Sequence, residues 1–578
     1  MIHMWWKESV VYQIYPRSFQ DSSDTAFPND GIGDIPGIIS RLDEIKDLGV
    51  GIIWLSPVYK SPDADNGYDI SDYREINRQF GTMTDMEKLF AEAKKRSIKI
   101  IMDLVINHTS DEHEWFQKSR DPQSPYRDYY IWRPGKIARN GKKLPPNNWT
   151  SFFMGETWEY DAQSGEYYLH LFDKKQPDLN YKNPKVIEEV KDILRFWLDK
   201  GASGFRCDVI NIIFKTSLED GKKSFAIQGL EHYKSQEGSH AVLREFRRDV
   251  LDKYDCFTVG ETVFVDIDDA KLLCDENRKE LDMLFFFDHL EVDRCIARYI
   301  PKKFRANKLL DVISKWQRGL DWNAIYLENH DQPRIVSHYG AAERERNTIA
   351  ASAAKTMSGK KIKPDTGKYW LLSAKMLSLF ELTLRGTVFI FQGQEIGMTN
   401  FDFKNLDELN DVESHNFNKL TKSKGIPALL RWKWIKASSR DNARTPMQWN
   451  DSDNAGFTKG KPWLGINKNY KFINHESQKN DPNSILNFYK KMIDLRKNSK
   501  CLIYGDFIPV YADARIIIYQ RKLGAETYTI ALNFSFKNVK LPKKFLHLFS
   551  GSQIISVSGE KINGILPAWD GVLVERQS

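Results

Sequence analysis

The chain has 578 residues, of which 41% are hydrophobic and 28% are charged, and this composition excludes an extensively disordered protein. Lys and Arg outnumber Asp and Glu by 85 to 78, and an excess of 7 spread over so large a surface gives no indication of nucleic-acid binding. No stretch reaches the roughly 18 apolar residues that a membrane span requires, so we expect no membrane partner.

Short apolar strand candidates alternate with amphipathic helix candidates along most of the chain, which is typical of repeated βα units around a parallel sheet. Apolar residues recur at helical spacing between the strands, for example at positions 186, 190, 193, 194 and 197. Eight strands are predicted, at 10–15, 51–56, 98–105, 204–209, 256–261, 281–288, 324–328 and 387–392. The sequence therefore predicts a (β/α)8 TIM barrel.

Two segments depart from this alternation. After the third strand, roughly 70 residues rich in Trp, Tyr, Pro and Asn predict an inserted subdomain, because so long a loop is uncommon in a compact domain. Near the C-terminus, the runs 514–519 and 528–533 are rich in β-branched residues and predict an antiparallel β-sandwich domain. The predicted division is 1–107 and 178–503 for the catalytic barrel, 108–177 for the inserted subdomain and 504–578 for the C-terminal domain.

Polar residues stand where most predicted strands end. In a TIM barrel these positions form the active site, although a single carboxylate there more often caps the next helix. Several carboxylates crowded into one cleft repel one another and indicate chemistry more than stability. The residues in question are Asp103, Asn107, His108, Arg206, Asp208, Glu261, His330 and Asp331.

Four ordered blocks carry a resemblance to a known family. They are 103–108 (Asp-Leu-Val-Ile-Asn-His), 204–208 (Gly-Phe-Arg-Cys-Asp), 259–261 (Val-Gly-Glu) and 328–331 (Glu-Asn-His-Asp). They resemble the blocks of the α-amylase superfamily, glycoside hydrolase family 13. The block 176–180 (Gln-Pro-Asp-Leu-Asn) is similar to the one that marks its oligo-1,6-glucosidase and α-glucosidase branch, and the resemblance extends to the run 440–449.

The resemblance implies that Asp208 is the nucleophile, Glu261 the general acid/base, and Asp331 a third carboxylate that holds substrate hydroxyls. A retaining glycosidase requires two carboxyl groups roughly 5 to 5.5 Å apart, one to form a glycosyl ester and one to exchange protons. Arg206 lies two residues before Asp208 on the same face of a strand and can keep the nucleophile ionised. Glu261 must instead stay protonated near neutral pH, which burial promotes.

The resemblance also implies a pocket that is closed at the non-reducing end of the sugar, so that the enzyme trims terminal glucose units. Tyr68 would stack under the sugar ring, and His108 and His330 would hydrogen-bond it, although a lone histidine is more often a core or surface residue. The remaining predicted lining residues are Asp65 on the closing loop, Phe172 and Gln176 from the inserted subdomain, and Arg440 and Arg444 on the far wall.

Val209 bears on the preferred linkage. In the branch that this sequence resembles, valine directly after the nucleophile accompanies α-1,6 linkages, whereas alanine or threonine accompanies α-1,4 linkages. A β-branched residue that simply fills a strand explains the valine equally well. We expect an exo-acting, retaining, monomeric α-glucosidase that acts on short isomaltose-type oligosaccharides.

Several alternatives stay open on the same scaffold: an α-1,4-glucosidase, a sucrose hydrolase or isomerase, and a trehalose-6-phosphate hydrolase. The segment 289–294 only partly resembles the charged loop of sucrose isomerases, which favours hydrolysis. A different class, the non-catalytic heavy chains of amino-acid transporters, keeps the barrel but loses catalytic groups. The three carboxylates argue against that class and against a sugar-binding module without turnover.

The first βα loop raises the question of a metal. Relatives carry a calcium loop of the type Asp-x-Asn-x-Asp-x-Ile-x-Asp, and oxygen ligands at alternate positions suit a hard cation. Here Asp21, Asp30, Ile32 and Asp34 are the candidate ligands, but residues 22–29 interrupt the pattern. We expect that the protein requires no cofactor and that the one ion it could bind is a structural calcium ion.

Three further features complete the sequence. The five cysteines fit neither a disulfide framework nor a zinc site, and the start lacks a basic region followed by an apolar run, so we expect a cytoplasmic protein. Gln394 stands where relatives usually have glutamate, which removes no catalytic group. The Lys-rich segment 355–368 is interpreted as a solvated loop or helix extension.

Overall fold

A computed structural model describes residues 4–224, 227–295, 298–345 and 367–577. Eight parallel strands form its central sheet: β1 (Val10–Ile14), β2 (Ile52–Leu55), β3 (Lys99–Leu104), β4 (Gly204–Cys207), β5 (Phe257–Glu261), β6 (Met283–Phe285), β7 (Ala324–Ile325) and β8 (Thr387–Phe391). The ladder runs in the order β6-β5-β4-β3-β2-β1-β8-β7, and its two end strands lie against each other. The sheet is therefore a nearly closed barrel, and the predicted fold class is confirmed.

Helices cover the outside of the barrel, so the strands are buried on both faces and are mostly apolar. Sequence signals set the helix ends: the helix after the insertion begins behind the Asn183 cap and ends at Gly201, whose φ of 116° is left-handed. The main covering helices are Ile35–Ser40, Leu42–Leu48, Met83–Lys95, Pro184–Lys200, Glu237–Asp249, Ile267–Cys274, Ala306–Gly319, Lys368–Thr383 and Ile485–Asn498. Other helices are Trp5–Glu8, Glu114–Ser119, Ile335–His338, Val412–Ser423, Ala428–Ser438, Asp441–Arg444, His475–Lys479 and Lys500–Tyr504.

The segment after β3 forms a small unit with its own core. Its antiparallel sheet has the order Trp132–Arg133, Tyr167–Leu169, Trp158–Tyr160, and a hairpin pairs Lys136–Ile137 with Lys143–Leu144. Its apolar core also includes Val209 and Ile212 from the turn after β4. The insertion is thus packed directly against the carboxyl end of the strand that carries Arg206.

The C-terminal part is an antiparallel sheet domain, as predicted. Its five strands have the order Asp506–Ala512, Ile516–Leu523, Glu526–Asn533, Gly571–Gln577, Ser552–Ser556. A two-stranded sheet of Val539–Lys540 and Ile565–Leu566 shares an apolar core with it. The residue limits assigned to the four parts of the chain stay predictions.

Two sequence features concern the rest of the surface. Within the described ranges, no helix combines the length and the apolar content needed to cross a membrane. The Lys-rich segment 355–368 lies outside the described residues up to position 366, and Lys368 begins the helix Lys368–Thr383.

Candidate active site

Three strand ends bring carboxylates around one arginine. Arg206 on β4 lies beside Asp103 in the register with β3, and its Nη1 is 2.8 Å from Asp103 Oδ1 and 2.6 Å from Asp208 Oδ1. Its Nη2 is 2.7 Å from Glu261 Oε2 at the end of β5. The arginine side chain is 2% exposed. Because carboxylates repel one another in a buried site, this guanidinium is what lets the three assemble.

The two carboxyl groups predicted to do the chemistry have different proton affinities. Burial raises the pKa of Asp208 to about 6, while Arg206 opposes that rise. The pKa of Glu261 is raised to about 8, mainly by burial and also by the neighbouring Asp208 and Asp331, although Arg206 lowers it. Near neutral pH, Asp208 is therefore ionised and Glu261 holds a proton, which suits a nucleophile beside a general acid.

Val209 follows Asp208 in a left-handed conformation, with φ 36° and ψ 40°. A β-branched residue rarely adopts a positive φ, so the surrounding structure must hold it there. Its backbone N–H donates to Glu261 Oε2 at 3.3 Å, and its buried side chain belongs to the core of the insertion. Val209 therefore connects Glu261, the predicted general acid, to the inserted unit.

Asp331 lies after β7, opposite this pair. Arg444 Nη2 is 2.6 Å from Asp331 Oδ1, and Arg440 Nη1 is 3.6 Å from the same oxygen. Burial by itself raises the pKa of Asp331, but His330, Arg440 and Arg444 outweigh it and hold the pKa well below its usual range. With 24% of its side chain exposed, Asp331 is the most open of the three predicted catalytic carboxylates. It is thus an ionised hydrogen-bond acceptor facing the pocket.

An aromatic layer lies beneath this site. The ring of Tyr68 is stacked on that of His330, with centroids 5.2 Å apart and planes 3° from parallel. Tyr68 donates from its hydroxyl to Asp103 Oδ2 at 3.1 Å, and Gln13 Nε2 lies 2.8 Å from His330 Nδ1. Burial lowers the pKa of His330 to about 3, so the imidazole is neutral near pH 7 and one ring nitrogen can donate to a sugar hydroxyl.

The insertion and the closing loop that carries Asp65 form another wall of the site. Gln176 Nε2 lies 3.1 Å from His108 Nε2 and donates to Asp65 Oδ2 at 3.2 Å. The ring of Phe172 lies 5.2 Å from that of His108. Arg440 Nη2 is 3.4 Å from Asp65 Oδ1, so an ion pair joins the closing loop to the far wall. Eleven of the thirteen predicted catalytic and substrate-binding residues are buried, Asp331 and Phe172 are partly exposed, and all thirteen lie within this one connected group.

Sequence reasoning missed several supporting residues. Asp103 stood at a strand end and carried a signal, but was not assigned to the site. Lys215 is buried with its Nζ 2.6 Å from Asp178 Oδ2 and 2.8 Å from Asn107 Oδ1, and so joins two of the family-like blocks. Asp411 accepts from Arg440 Nε at 2.8 Å. Neither Lys215 nor Asp411 lies in a motif, so no sequence signal marked them.

The candidate metal ligands are engaged within their own loop. Asp34 accepts from Gly37 N at 2.6 Å and Ser22 N at 2.9 Å, and Asp30 accepts from Ile32 N at 2.9 Å. One buried oxygen, Asp21 Oδ1, has no hydrogen-bond partner among the described residues, whereas calcium takes six to eight oxygen ligands. In the described parts of the chain, no three His, Cys, Asp or Glu side chains are grouped as a metal site. The free side-chain oxygens of this loop are therefore too few to hold a calcium ion as the loop stands. Calcium binding at this loop stays a prediction.

The (β/α)8 barrel holds a carboxylate pair on one arginine, with a third carboxylate nearby and a neutral histidine stacked on a tyrosine. This combination is typical of one class of proteins, the barrels that cleave or transfer glycosidic bonds. A model of the α-amylase catalytic domain matches residues 13–505. The chain belongs to the α-amylase family of glycoside hydrolases, which confirms the resemblance carried by the four blocks.

Individual relatives are similar over almost their whole length. The chain is 48% identical to an oligo-1,6-glucosidase of Parageobacillus thermoglucosidasius, over 95% of this chain and 94% of that one. Among solved structures, isomaltulose synthase from Klebsiella sp. LX3 has a TM-score of 0.90 at 40% identity, with both chains fully covered. The trehalose-6-phosphate hydrolase of Bacillus licheniformis has a TM-score of 0.87 at 40% identity, also with full coverage of both chains.

Proposed function

We propose that this protein is an exo-acting, retaining α-glucosidase that releases terminal, non-reducing α-1,6-linked glucose from short oligosaccharides of the isomaltose type. The observation that carries the proposal is the guanidinium of Arg206, which holds Asp208 and Glu261 at 2.6 and 2.7 Å. The linkage is supported by relatives at 41–48% identity whose names specify 1,6-glucosidase activity.

The reaction follows from the two protonation states. In the first step Asp208 attacks the anomeric carbon, and Glu261 gives its proton to the glycosidic oxygen as that bond breaks, leaving a glucosyl ester on Asp208. In the second step ionised Glu261 takes a proton from water, the water oxygen bonds to the anomeric carbon, and the ester bond breaks. The products are glucose and the shortened sugar, and the anomeric configuration is retained.

The remaining pocket residues bind and orient the terminal glucose. Asp331, fixed by Arg444, accepts hydrogen bonds from two sugar hydroxyls, while His330 donates to another. His108, whose Nε2 contacts the Tyr68 carbonyl oxygen at 3.0 Å, lines the same subsite. Tyr68 supplies an aromatic face under the ring. The pair of Asp65 with Arg440 closes the pocket beyond the sugar, which restricts cleavage to chain ends.

The competing activities use the same catalytic pair and differ in what leaves with the glycosidic oxygen. Trehalose-6-phosphate hydrolase and isomaltulose synthase are the relevant alternatives, because structures with those names match this chain at 40% identity. Sucrose hydrolysis and α-1,4-glucosidase activity are further alternatives.

One substrate panel tests the proposal: isomaltose, maltose, sucrose, trehalose and trehalose 6-phosphate, each with its products identified. We expect the highest kcat/KM for isomaltose, with free glucose as the product. A higher kcat/KM for trehalose 6-phosphate, or conversion of sucrose to another disaccharide as the main reaction, would overturn it.

We further propose a cytoplasmic monomer that requires no cofactor. Five free cysteine thiols support a reducing compartment. Light scattering during gel filtration measures the mass, and a dimer mass contradicts the monomer.

For the calcium loop, an unchanged Tm on addition of calcium after chelation contradicts a structural ion there.

A further inference from the structure

Phe264 lies three residues after the proposed general acid, in the loop that follows β5. Its side chain is 56% exposed, and its φ of 55° is in the left-handed region. Both features are unfavourable for a phenylalanine: an aromatic ring loses contact with the apolar core, and a bulky residue at positive φ is a genuine backbone outlier. Such outliers persist where the surrounding structure holds them and are enriched at ligand-binding sites.

A row of aromatic rings connects Phe264 with the sugar pocket. Phe264 is stacked on Phe152, with centroids 6.2 Å apart and planes 21° from parallel. Phe152 is stacked on Phe172 at 5.1 Å and 14°, and Phe172 lies 5.2 Å from His108. Three ring-to-ring steps therefore separate Phe264 from the histidine that lines the first subsite. Phe264 lies at the outer end of the row, beyond the pocket for the terminal glucose.

The loop around Phe264 is held by neighbouring elements. Lys234 Nζ donates to the carbonyl oxygen of Phe264 at 3.3 Å and forms an ion pair with Asp269 at 2.7 Å. Asn211 donates to the carbonyl oxygen of Val263 and accepts from its N–H, both at 3.0 Å. One face of the Phe264 ring thus rests on Phe152 while much of the remaining ring surface is open to solvent.

We propose that Phe264 is a stacking platform for the second sugar unit beyond the scissile bond, a unit that disaccharides lack, which makes oligosaccharides of three or more units better substrates than disaccharides. An exposed aromatic face binds the C–H face of a pyranose ring, and a fixed loop lowers the entropy cost of that contact. This inference rests on the proposed α-glucosidase function and specifies the leaving-group side of the same site.

The test compares kcat/KM for isomaltotriose with kcat/KM for isomaltose in the wild type and in Phe264→Gly. Glycine removes the ring and tolerates the positive φ, so the variant should keep or raise the Tm. We expect the trisaccharide-to-disaccharide ratio to fall about three- to ten-fold, mainly through KM for the trisaccharide, while isomaltose kinetics stay close to wild type.

Two matched variants separate the ring from general effects on the loop. Phe264→Tyr keeps an aromatic face and should keep the ratio. Leu272→Ala removes another exposed apolar side chain, on the helix Ile267–Cys274, and should leave the ratio unchanged.

The outcomes distinguish this inference from the proposed function. If wild-type protein hydrolyses isomaltose and Phe264→Gly leaves the ratio unchanged, the platform is wrong and the proposed function stands. If wild-type protein hydrolyses maltose instead, the proposed linkage is wrong, and the same comparison is made with maltotriose and maltose. A ratio that falls equally in Phe264→Tyr also contradicts a stacking role.

Discussion

Arg206 carries one positive charge and contacts Asp103, Asp208 and Glu261 in a buried site. Burial raises the pKa of all three carboxyl groups, and Arg206 opposes the rise in each case. The arrangement lets one carboxylate ionise while its neighbour keeps a proton. A charge of this kind also has a structural consequence, because removing one partner of a buried ion pair leaves the others uncompensated.

Replacing Arg206 tests both consequences. Lysine keeps the charge but has a single ammonium group, which cannot contact three carboxylates as a planar guanidinium does. We expect Arg206→Lys to lower kcat on isomaltose at least about a hundred-fold, and Arg206→Ala to lower the free energy of unfolding by about 3–5 kcal/mol. Urea unfolding and steady-state kinetics measure the two effects. Near-normal kcat in Arg206→Lys would show that charge alone suffices.

The pH dependence of kcat/KM follows from the same residues. Asp208 must be ionised to attack, so activity falls as the pH drops through about 6, the value to which burial raises its pKa. Glu261 must hold a proton, so activity falls as the pH rises through about 8, the pKa to which burial raises that group. We expect a bell-shaped profile with its plateau between these values. Two results would contradict these roles. One is a fall in kcat/KM at low pH that is caused by protonation of Glu261, and the other is a kcat/KM that keeps rising above pH 9.

At the scale of elements, the turn after β4 determines how the insertion meets the barrel. Val209 adopts a left-handed conformation, donates its N–H to Glu261, and buries its side chain in the core of the insertion. A change of side chain here therefore affects the pocket wall and the position of the general acid together. We therefore expect the proposed preference for α-1,6 linkages to depend on this turn as well as on the Val209 side chain.

Val209→Ala tests that view. Removing two methyl groups opens the wall of the insertion next to the scissile bond, and we expect the ratio of kcat/KM for isomaltose to that for maltose to fall at least about ten-fold. Ile212→Val, in the same core but without a contact to Glu261 among the described hydrogen bonds, is the matched control. An unchanged ratio in Val209→Ala would remove this residue from the account of linkage.

The same scale explains what sequence could and could not predict. The eight strands were predictable because each is a short, mostly apolar run between polar turns. Only lengths differed, as in β7, which covers Ala324–Ile325 of the predicted 324–328. The strand-end carboxylates were predictable because parallel strands end at one face. The contacts of Lys215 and Asp411 were not predictable, because they join segments that are far apart in the chain. Local sequence patterns do not indicate which distant residues will pair.

In the molecule as a whole, two buried arginines lie where the barrel meets the C-terminal sheet. Arg521 bonds across this junction, and Arg496 bonds within the barrel. Arg521 donates to the carbonyl oxygens of Thr383 at 2.6 Å, Leu502 at 2.8 Å and Gly505 at 2.7 Å. Arg496 donates to those of Leu382 and Leu384, both at 2.8 Å. Burial lowers the pKa of Arg521 to about 10, and Arg385 also lowers it. Burial lowers the pKa of Arg496 to about 9, and Arg521 also lowers it. These bonds satisfy carbonyl groups at the ends of helices.

Arg521→Ala should weaken this junction without touching the active site. The buried carbonyl groups of Thr383 and Gly505 lose the arginine donor, while that of Leu502 keeps Arg496. We expect the free energy of unfolding to fall by about 3 kcal/mol or more, while kcat on isomaltose at low temperature stays near wild type. Arg515→Ala, which removes only a surface ion pair 3.7 Å long, is the control and should change stability little. If Arg521→Ala and the wild type were equally stable in urea, Arg521 would not stabilise this junction.

The proposed mechanism requires a covalent bond between Asp208 and glucose, and direct identification of that bond tests it. A fluorinated glucosyl fluoride that reacts quickly but hydrolyses slowly traps the intermediate of a retaining enzyme, and peptide mass spectrometry locates the modified residue. We predict a single added fluoroglucosyl unit on the peptide that contains Asp208, and none in Asp208→Asn. A label on Glu261 or Asp331, or turnover of the reagent with inverted configuration and no adduct, would contradict the account.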